Sequence, residues 1–477
     1  MATTDASVAS APAAPVLSYD TPPRADTALL VRLSVMMFLQ YAIWGAWLPL
    51  MFPFFNEHRG ISPSTIGYLA AIGALGALIS PFIAGQIADR YFNTEKFLGV
   101  SHIIGAVLVW LMATTGHLQA LMVLSFFYAL IYTPTLALTN SLAFYHLPDR
   151  DRDFGKVRVW GTVGWIAVGI GIGQWLLHRA GTVRAAQVEG MGDAFKLSAI
   201  LGILLGIYCF MLPKTPPARF RNKSGTGPTT QAGAGDDSAG VEKYGPDVAK
   251  KGFAPAEALG EVTRNKALFW LFLVSFPIAC IHQFYFVRTA GYLGSPELGL
   301  NQAATTINKI FGVGGGGLMT IGQMSELIVL AIMPFVAKRL SRKTLLSIGL
   351  IAYVLRFFVF AYVQHPWAVV PALALHGVCF GCFFFVAFMI VDEQSTKDVR
   401  ASAQNLYNLI IMGLGVIVGN LFAGWVDHWA IAPGSTATNW RTFFSIPMWI
   451  AVACLALVLV FYPKRSTVVD REGLVAA

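Results

Sequence analysis

Residues 222–240 read NKSGTGPTTQAGAGDDSAG. The stretch holds no Val, Ile, Leu, Met, Phe, Trp, Tyr or Cys. Such a composition cannot bury enough apolar area to fold alone. On either side of it the composition reverses. Runs of the length that crosses a bilayer as a helix, about 20 mostly apolar residues, precede it near 29–55, 62–84, 97–116, 118–145, 158–178 and 194–213. Six more follow near 267–292, 317–337, 343–363, 366–391, 402–426 and 443–462. The polar stretch therefore reads as the middle of a linker, 214–262, between two equal sets of spans.

The whole chain agrees. Of its 477 residues 56% are hydrophobic and only 12% charged, where a soluble chain carries roughly 25% charged residues. This composition predicts an all-α polytopic membrane protein of twelve transmembrane helices in two six-helix halves. The expected organisation is a disordered cytoplasmic N-terminus (1–27), a first bundle (28–213), a cytoplasmic linker (214–262), a second bundle (263–463) and a cytoplasmic tail (464–477). Residues 1–27 lack a basic region followed by a short apolar core and cleavage site, so the first span is expected to act as an uncleaved signal anchor. The net charge of +9 would suggest nucleic acid in a soluble protein. Here the positive-inside rule accounts for it, and no nucleic-acid partner is expected. Lys and Arg crowd the loops that share a side with both termini (Arg90, Lys96, Arg150, Arg152, Lys338, Arg339, Lys397, Arg400), so both termini are placed in the cytoplasm. Five cysteines, all in apolar stretches, read as buried thiols, including the CxxC-spaced Cys379 and Cys382.

After the second span comes GQIADRYFNTEK (85–96). Its Gly85, Asp89 and Arg90 match the cytoplasmic signature of the major facilitator superfamily, whose transporters pair two six-helix halves. By that resemblance Gly85 allows close helix approach, and Asp89 with Arg90 latches the halves in one state. The matching loop of the second half, PFVAKRLSRK (334–343), keeps the basic residues without the acid.

Polar groups at membrane depth are the functional candidates. Glu326 lies mid-span in MTIGQMSELIVLAIMPF (319–335), with Gln323 one turn away on the same face. An unpaired acid there costs ~2.5–3.5 kcal/mol, and its retention favours function over packing. A carboxyl that changes protonation between two states is what proton coupling requires. Arg356, at similar depth on the next span, is a structural tie or a direct charge partner of Glu326. In span five Arg158, Thr162 and Trp165 share a face, which suits a polar aromatic solute, although Arg158 is on spacing alone equally a positive-inside residue. In span seven Gln283 either binds a ligand or bonds across helices. His282 reads as a helix-contact residue, and Arg288 is expected to snorkel to the outer interface. Gln40, Trp44 and Trp47 follow one face of span one and read as packing, as do His376 and the FGCFFFVAF aromatics of span ten. GVGGGG (312–317) is expected in an outer loop; with no Lys-Ser/Thr after it, it is not a phosphate cradle. No Ser–His–Asp set, HExxH or Walker motif supports an enzyme, a metal site or ATP-driven transport.

Taken together, FLQYAIWGAWL, YTPTLALTNSLAFY, VRVWGTVGWI, GQMSE, YVLRFFVFAY and VRASAQ resemble bacterial nucleoside–proton symporters of the major facilitator superfamily, over nearly all twelve spans. The resemblance implies substrate contacts from Arg158, Thr162, Trp165, Gln283, Gln323, Glu326 and Phe380, with Glu326 coupling the proton. It implies no cofactor beyond the proton, a monomer in the lipid bilayer, and residence in the cell inner membrane. Two positions depart from the family's pattern: an Asn of relatives falls on Phe286 and an Asp on Gly381. Losing hydrogen-bonding groups changes selectivity, so a symporter for another small polar solute, such as a sugar, is the first rival. A non-transporting receptor is the second.

Overall fold

The structure is a computed structural model that describes residues 25–90, 92–181, 183–216, 254–300, 306–395, 400–431 and 437–463. Among these, twelve helices are long and apolar enough to cross a membrane. In the first half spans 1 to 6 are Thr27–His58, Pro63–Ser80, Thr94–Thr114, Leu118–His146, Arg152–Ala180 and Arg184–Cys209. In the second, spans 7 to 12 are Lys266–Leu293, Gly316–Val336, Arg342–Val363, Pro366–Gln394, Ala403–Ala430 and Trp440–Phe461. Side-chain caps set several starts: Asn265 accepts from the amides of Ala267 and Leu268, Ser341 from Thr344, and Asn439 from Thr442.

The two halves repeat one plan. Span 1 packs on span 5, span 2 on span 4 and span 3 on span 6; span 7 likewise packs on span 11, span 8 on span 10 and span 9 on span 12. Each pairing recurs six helices later, as a duplicated bundle requires. The halves meet along spans 2 and 11, spans 5 and 8, and the far end of span 1 against span 7.

Three expectations change. The linker's last residues are not irregular, because Ala254–Arg264 is a helix packed against spans 7 and 11, with Val262 buried. GVGGGG is not a surface loop: residues 312–317 are all buried, and Gly316 and Gly317 open span 8. Gly312 (φ +72°) lies so close to span 5 that a Cβ there would stand 1.9 Å from the carbonyl carbon of Gly173. The Val313 amide donates to the Gly173 carbonyl at 3.0 Å. Glycine is needed because two backbones from opposite halves touch. Span 11 runs to Ala430 and so includes Asp427. Gly85, Asp89 and Arg90 lie on the final turns of the helix Pro63–Arg90; their side chains fall outside the described residues.

Candidate functional site

Spans 5 and 8 run antiparallel across the interface between halves. They touch where a Cβ on Gly169 would meet Thr320 Cγ2 at 2.8 Å. Counting from that contact, seven residues back reach Thr162 and six forward reach Glu326. The two therefore stand level, about 9–10 Å beyond the contact at 1.5 Å per residue. Arg158 lies one turn further along the same face of span 5. The guanidinium itself rests on the Tyr41 ring, 4.2 Å from its centroid. Arg158 thus packs against span 1 and is more than a basic residue of a loop. Trp165 meets Trp44 edge to face at 5.7 Å, and both are half-buried. Trp47 instead packs inside its own half, on Tyr128 and Phe195. Gln40 is buried and donates to Thr135 Oγ1 at 2.8 Å.

On span 8 Gln323 is buried, and its Oε1 has no hydrogen-bond partner among the described residues. A buried unpaired acceptor is rare, and this one is on the same face as Glu326. The Glu326 side chain keeps 25% of its surface exposed. Gln283 is half-buried against span 11, where a Cβ on Gly419 would meet its Cγ at 2.8 Å. Phe380 is half-buried, 6.1 Å from Phe384, which in turn packs on His282 at 5.2 Å. Thr162 and Glu326 thus stand level at one seam, with Arg158 and Trp165 on the same stretch of span 5, packed against span 1. Gln283 packs on span 11, and Phe380 joins the second half's aromatic cluster through Phe384.

The direct Glu326–Arg356 pair is not formed, because His376 stands between them. Arg356 Nη1 meets His376 Nδ1 at 3.0 Å, and His376 Nε2 lies 3.9 Å from Glu326 Oε2. His376 does pack, stacked on Tyr285 at 4.5 Å and His282 at 5.3 Å. It is also a polar link, which its apolar surroundings in the sequence hid. Close helix approach places it there. A Cβ on Gly377 would stand 2.4 Å from the Glu326 amide nitrogen, and the Gly377 amide donates to Ser325 Oγ at 3.0 Å. The backbones of spans 8 and 10 touch at the residues that follow His376 and precede Glu326. His282 is satisfied as expected, with Tyr353 Oη 2.6 Å from its Nδ1.

Arg288 does not snorkel. It is 3% exposed and donates to Asp427 Oδ1 at 3.0 Å and to Thr438 Oγ1 at 2.6 Å. Its guanidinium covers Trp440 at 4.8 Å and Phe52 at 4.1 Å, and Phe52 belongs to the opposite half. A buried carboxylate within reach gave the arginine a better partner than the interface.

The two departures from the family's pattern also have a place. Phe286 sets its ring edge to face on His376 at 5.6 Å. Gly381 is buried against span 8, and a Cβ there would meet Val329 Cγ1 at 2.5 Å. An acid at 381 would have to displace an apolar side chain in this arrangement. Span 10 widens into π-helical turns over Phe380–Phe385, a feature common where helices carry function.

Comparison with known proteins bears on the fold and the family. The sequence profile described as "Nucleoside H+ symporter" matches residues 27–230 and 248–467. The putative nucleoside transporter YegT of Escherichia coli (strain K12) is 31% identical over 444 residues, 91% of this chain and 94% of that protein. Xanthosine permease of the same organism is 26% identical over 441 residues, 91% of this chain and 94% of its own length. The crystal structure of nucleoside transporter NupG superposes with a TM-score of 0.73 at 22% identity, covering 92% of this chain and 100% of that one. The last likeness shows the fold. By the profile and by YegT, the chain is a member of the nucleoside H+ symporter family.

Proposed function

We propose that this protein is a secondary active transporter that carries nucleosides together with protons by alternating access, and that Glu326 takes up the proton. The observation that carries this reading is the position of Glu326. It is a part-exposed carboxylate on a membrane-spanning helix, level with Thr162 across the seam between the halves. An acid at that depth is retained against its cost when it serves transport.

In this reading the solute lies between spans 5 and 8. Arg158 and Thr162 offer donors, the unpaired Gln323 Oε1 accepts a hydroxyl, and Trp165 and Phe380 flank the base. Gln283 closes the site from span 7. The halves then rock about it, with Gly85, Asp89 and Arg90 latching one state. The protein works as a monomer in the inner cell membrane with both termini in the cytoplasm, as the Lys and Arg distribution requires.

The test is uptake of labelled nucleosides into proteoliposomes with and without an imposed pH gradient, with purine nucleosides as first probes and sugars as controls. Concentrative, gradient-dependent nucleoside uptake is expected, and Glu326→Gln should abolish accumulation. Accumulation that survives Glu326→Gln with proton influx intact removes the coupling role. Uptake of sugars alone, or binding without flux, overturns the nucleoside reading.

A further inference from the structure

The link from Arg356 through His376 to Glu326 has a chemical direction. A guanidinium has five N–H donors and no acceptor. At 3.0 Å from Arg356 Nη1, His376 Nδ1 must therefore offer its lone pair. The imidazole proton is then on Nε2, the atom 3.9 Å from Glu326 Oε2. Protonating Nδ1 as well would set an N–H against the guanidinium and place two positive charges in one buried contact. The acid that span 8 sets against the ring, Glu326, faces Nε2 and leaves the clash at Nδ1 in place. Span 7 presents His282, Tyr285 and Phe286, span 9 presents Arg356 with Tyr353 behind His282, and Cys379 is one turn along span 10 itself.

We propose that His376 is a positioning residue for Glu326: Arg356 fixes the imidazole in its Nε2–H tautomer, and that N–H is aimed at the ionised carboxylate. The inference rests on the reading that Glu326 bears the transported proton. His376 itself neither gains nor loses a proton in the cycle. One proton enters from water onto Glu326 and leaves to water from Glu326. The contact discriminates between the two forms of the acid. Ionised Glu326 accepts from Nε2–H once the side chain closes the 3.9 Å gap. Protonated Glu326 keeps only a weaker, neutral bond through its carbonyl oxygen, and its O–H finds no acceptor at Nε2, so the side chain is held less tightly and can turn to the solute. His376 thus ties the position of the Glu326 side chain to its charge.

The test uses side chains that reach one nitrogen position each. His376→Gln places an amide N–H near the former Nε2. His376→Asn reaches only the Nδ1 position, where its oxygen still accepts from Arg356. Nucleoside uptake by proteoliposomes is measured from acid to alkaline pH for the wild type and both variants, alongside thermal unfolding. His376→Asn should move the midpoint of the uptake profile by roughly one pH unit toward alkaline, the shift expected from losing one donor to a charged acceptor. His376→Gln should restore most of it. An unchanged profile in His376→Asn, or equal profiles in both variants, overturns the proposal. Should His376→Asn fail to fold, Arg356→Met carries the test. With the guanidinium gone the Nε2–H tautomer is no longer fixed, and the uptake midpoint should move toward alkaline as in His376→Asn; an unchanged midpoint overturns the proposal. Failure of the underlying coupling role shows separately, as pH-driven accumulation that persists in Glu326→Gln.

Discussion

Arg288 and Arg356 are both buried in the second half, at 3% and 0% exposure, and they are held in contrasting ways. Arg288 has a full ionic partner in Asp427 and a hydroxyl in Thr438. Among the described residues Arg356 has no carboxylate in hydrogen-bond reach. It rests among the rings of Tyr285, Tyr353 and Phe357 at 4.5–5.0 Å and gives one hydrogen bond to a neutral imidazole. The first arrangement is closed, with charge matched by charge. In the second the compensating acid is displaced by one residue, to the far side of His376. A matched pair fixes structure, whereas an arginine separated from its acid by a ring leaves that acid able to change its charge.

The largest effect should come from breaking the matched pair. Asp427→Ala leaves Arg288 buried without its carboxylate and should cost about 3–5 kcal/mol, read by thermal or denaturant unfolding in detergent. Pairing it with Arg288→Met should recover most of the loss. A melt equal to wild type would show that the pair is no anchor.

Next is the contact that aligns the unmatched pair. Gly377→Ala drives a Cβ into the backbone at Ser325 and Glu326 and should cost about 1–3 kcal/mol. It should also abolish concentrative uptake, by parting His376 from Glu326. The matched control is Gly381→Ala, whose Cβ has the side chains of Val329 and Met333 as its nearest neighbours. It should be milder in both assays; equal effects would mean that the site does not depend on the backbone contact.

Removing the unmatched arginine should cost less than removing the matched acid. Arg356→Met leaves no orphaned charge, only an unpaired His376 Nδ1, worth about 1–3 kcal/mol. Its melting point should fall less than that of Asp427→Ala, and a larger drop would reverse the comparison. The smallest change is Trp165→Phe, which loses part of the edge-to-face contact with Trp44. About 0.5–1.5 kcal/mol of stability is at stake, and competition uptake should show altered preference among nucleosides of different base size.

How legible these features were in the sequence follows from what each depends on. The linker and the spans are matters of composition, which is local, so twelve helices were readable with ends off by a few residues. Glu326 and Arg356 were readable as charges in apolar runs. Their geometry was not, since Arg356 and His376 are 20 residues apart and join only when helices pack. Asp427 was missed for a plainer reason. The expected end of span 11 was residue 426, so an acid that caps nothing and faces inward counted as loop. His376 looked like one ring among many. The usable signal was its neighbour Gly377, a small residue that permits two helices to touch beside a polar side chain.

The backbone hydrogen bond from Val313 to Gly173 has a practical consequence. It joins opposite halves without any side chain, so no substitution pattern marks it and no charge tunes it. If this end of the bundle parts during each turnover, the Val313 amide is released to solvent once per cycle. Its deuterium exchange would then count openings directly, in unlabelled protein. A solute that quickens the exchange is being carried, and one that slows it is holding the door.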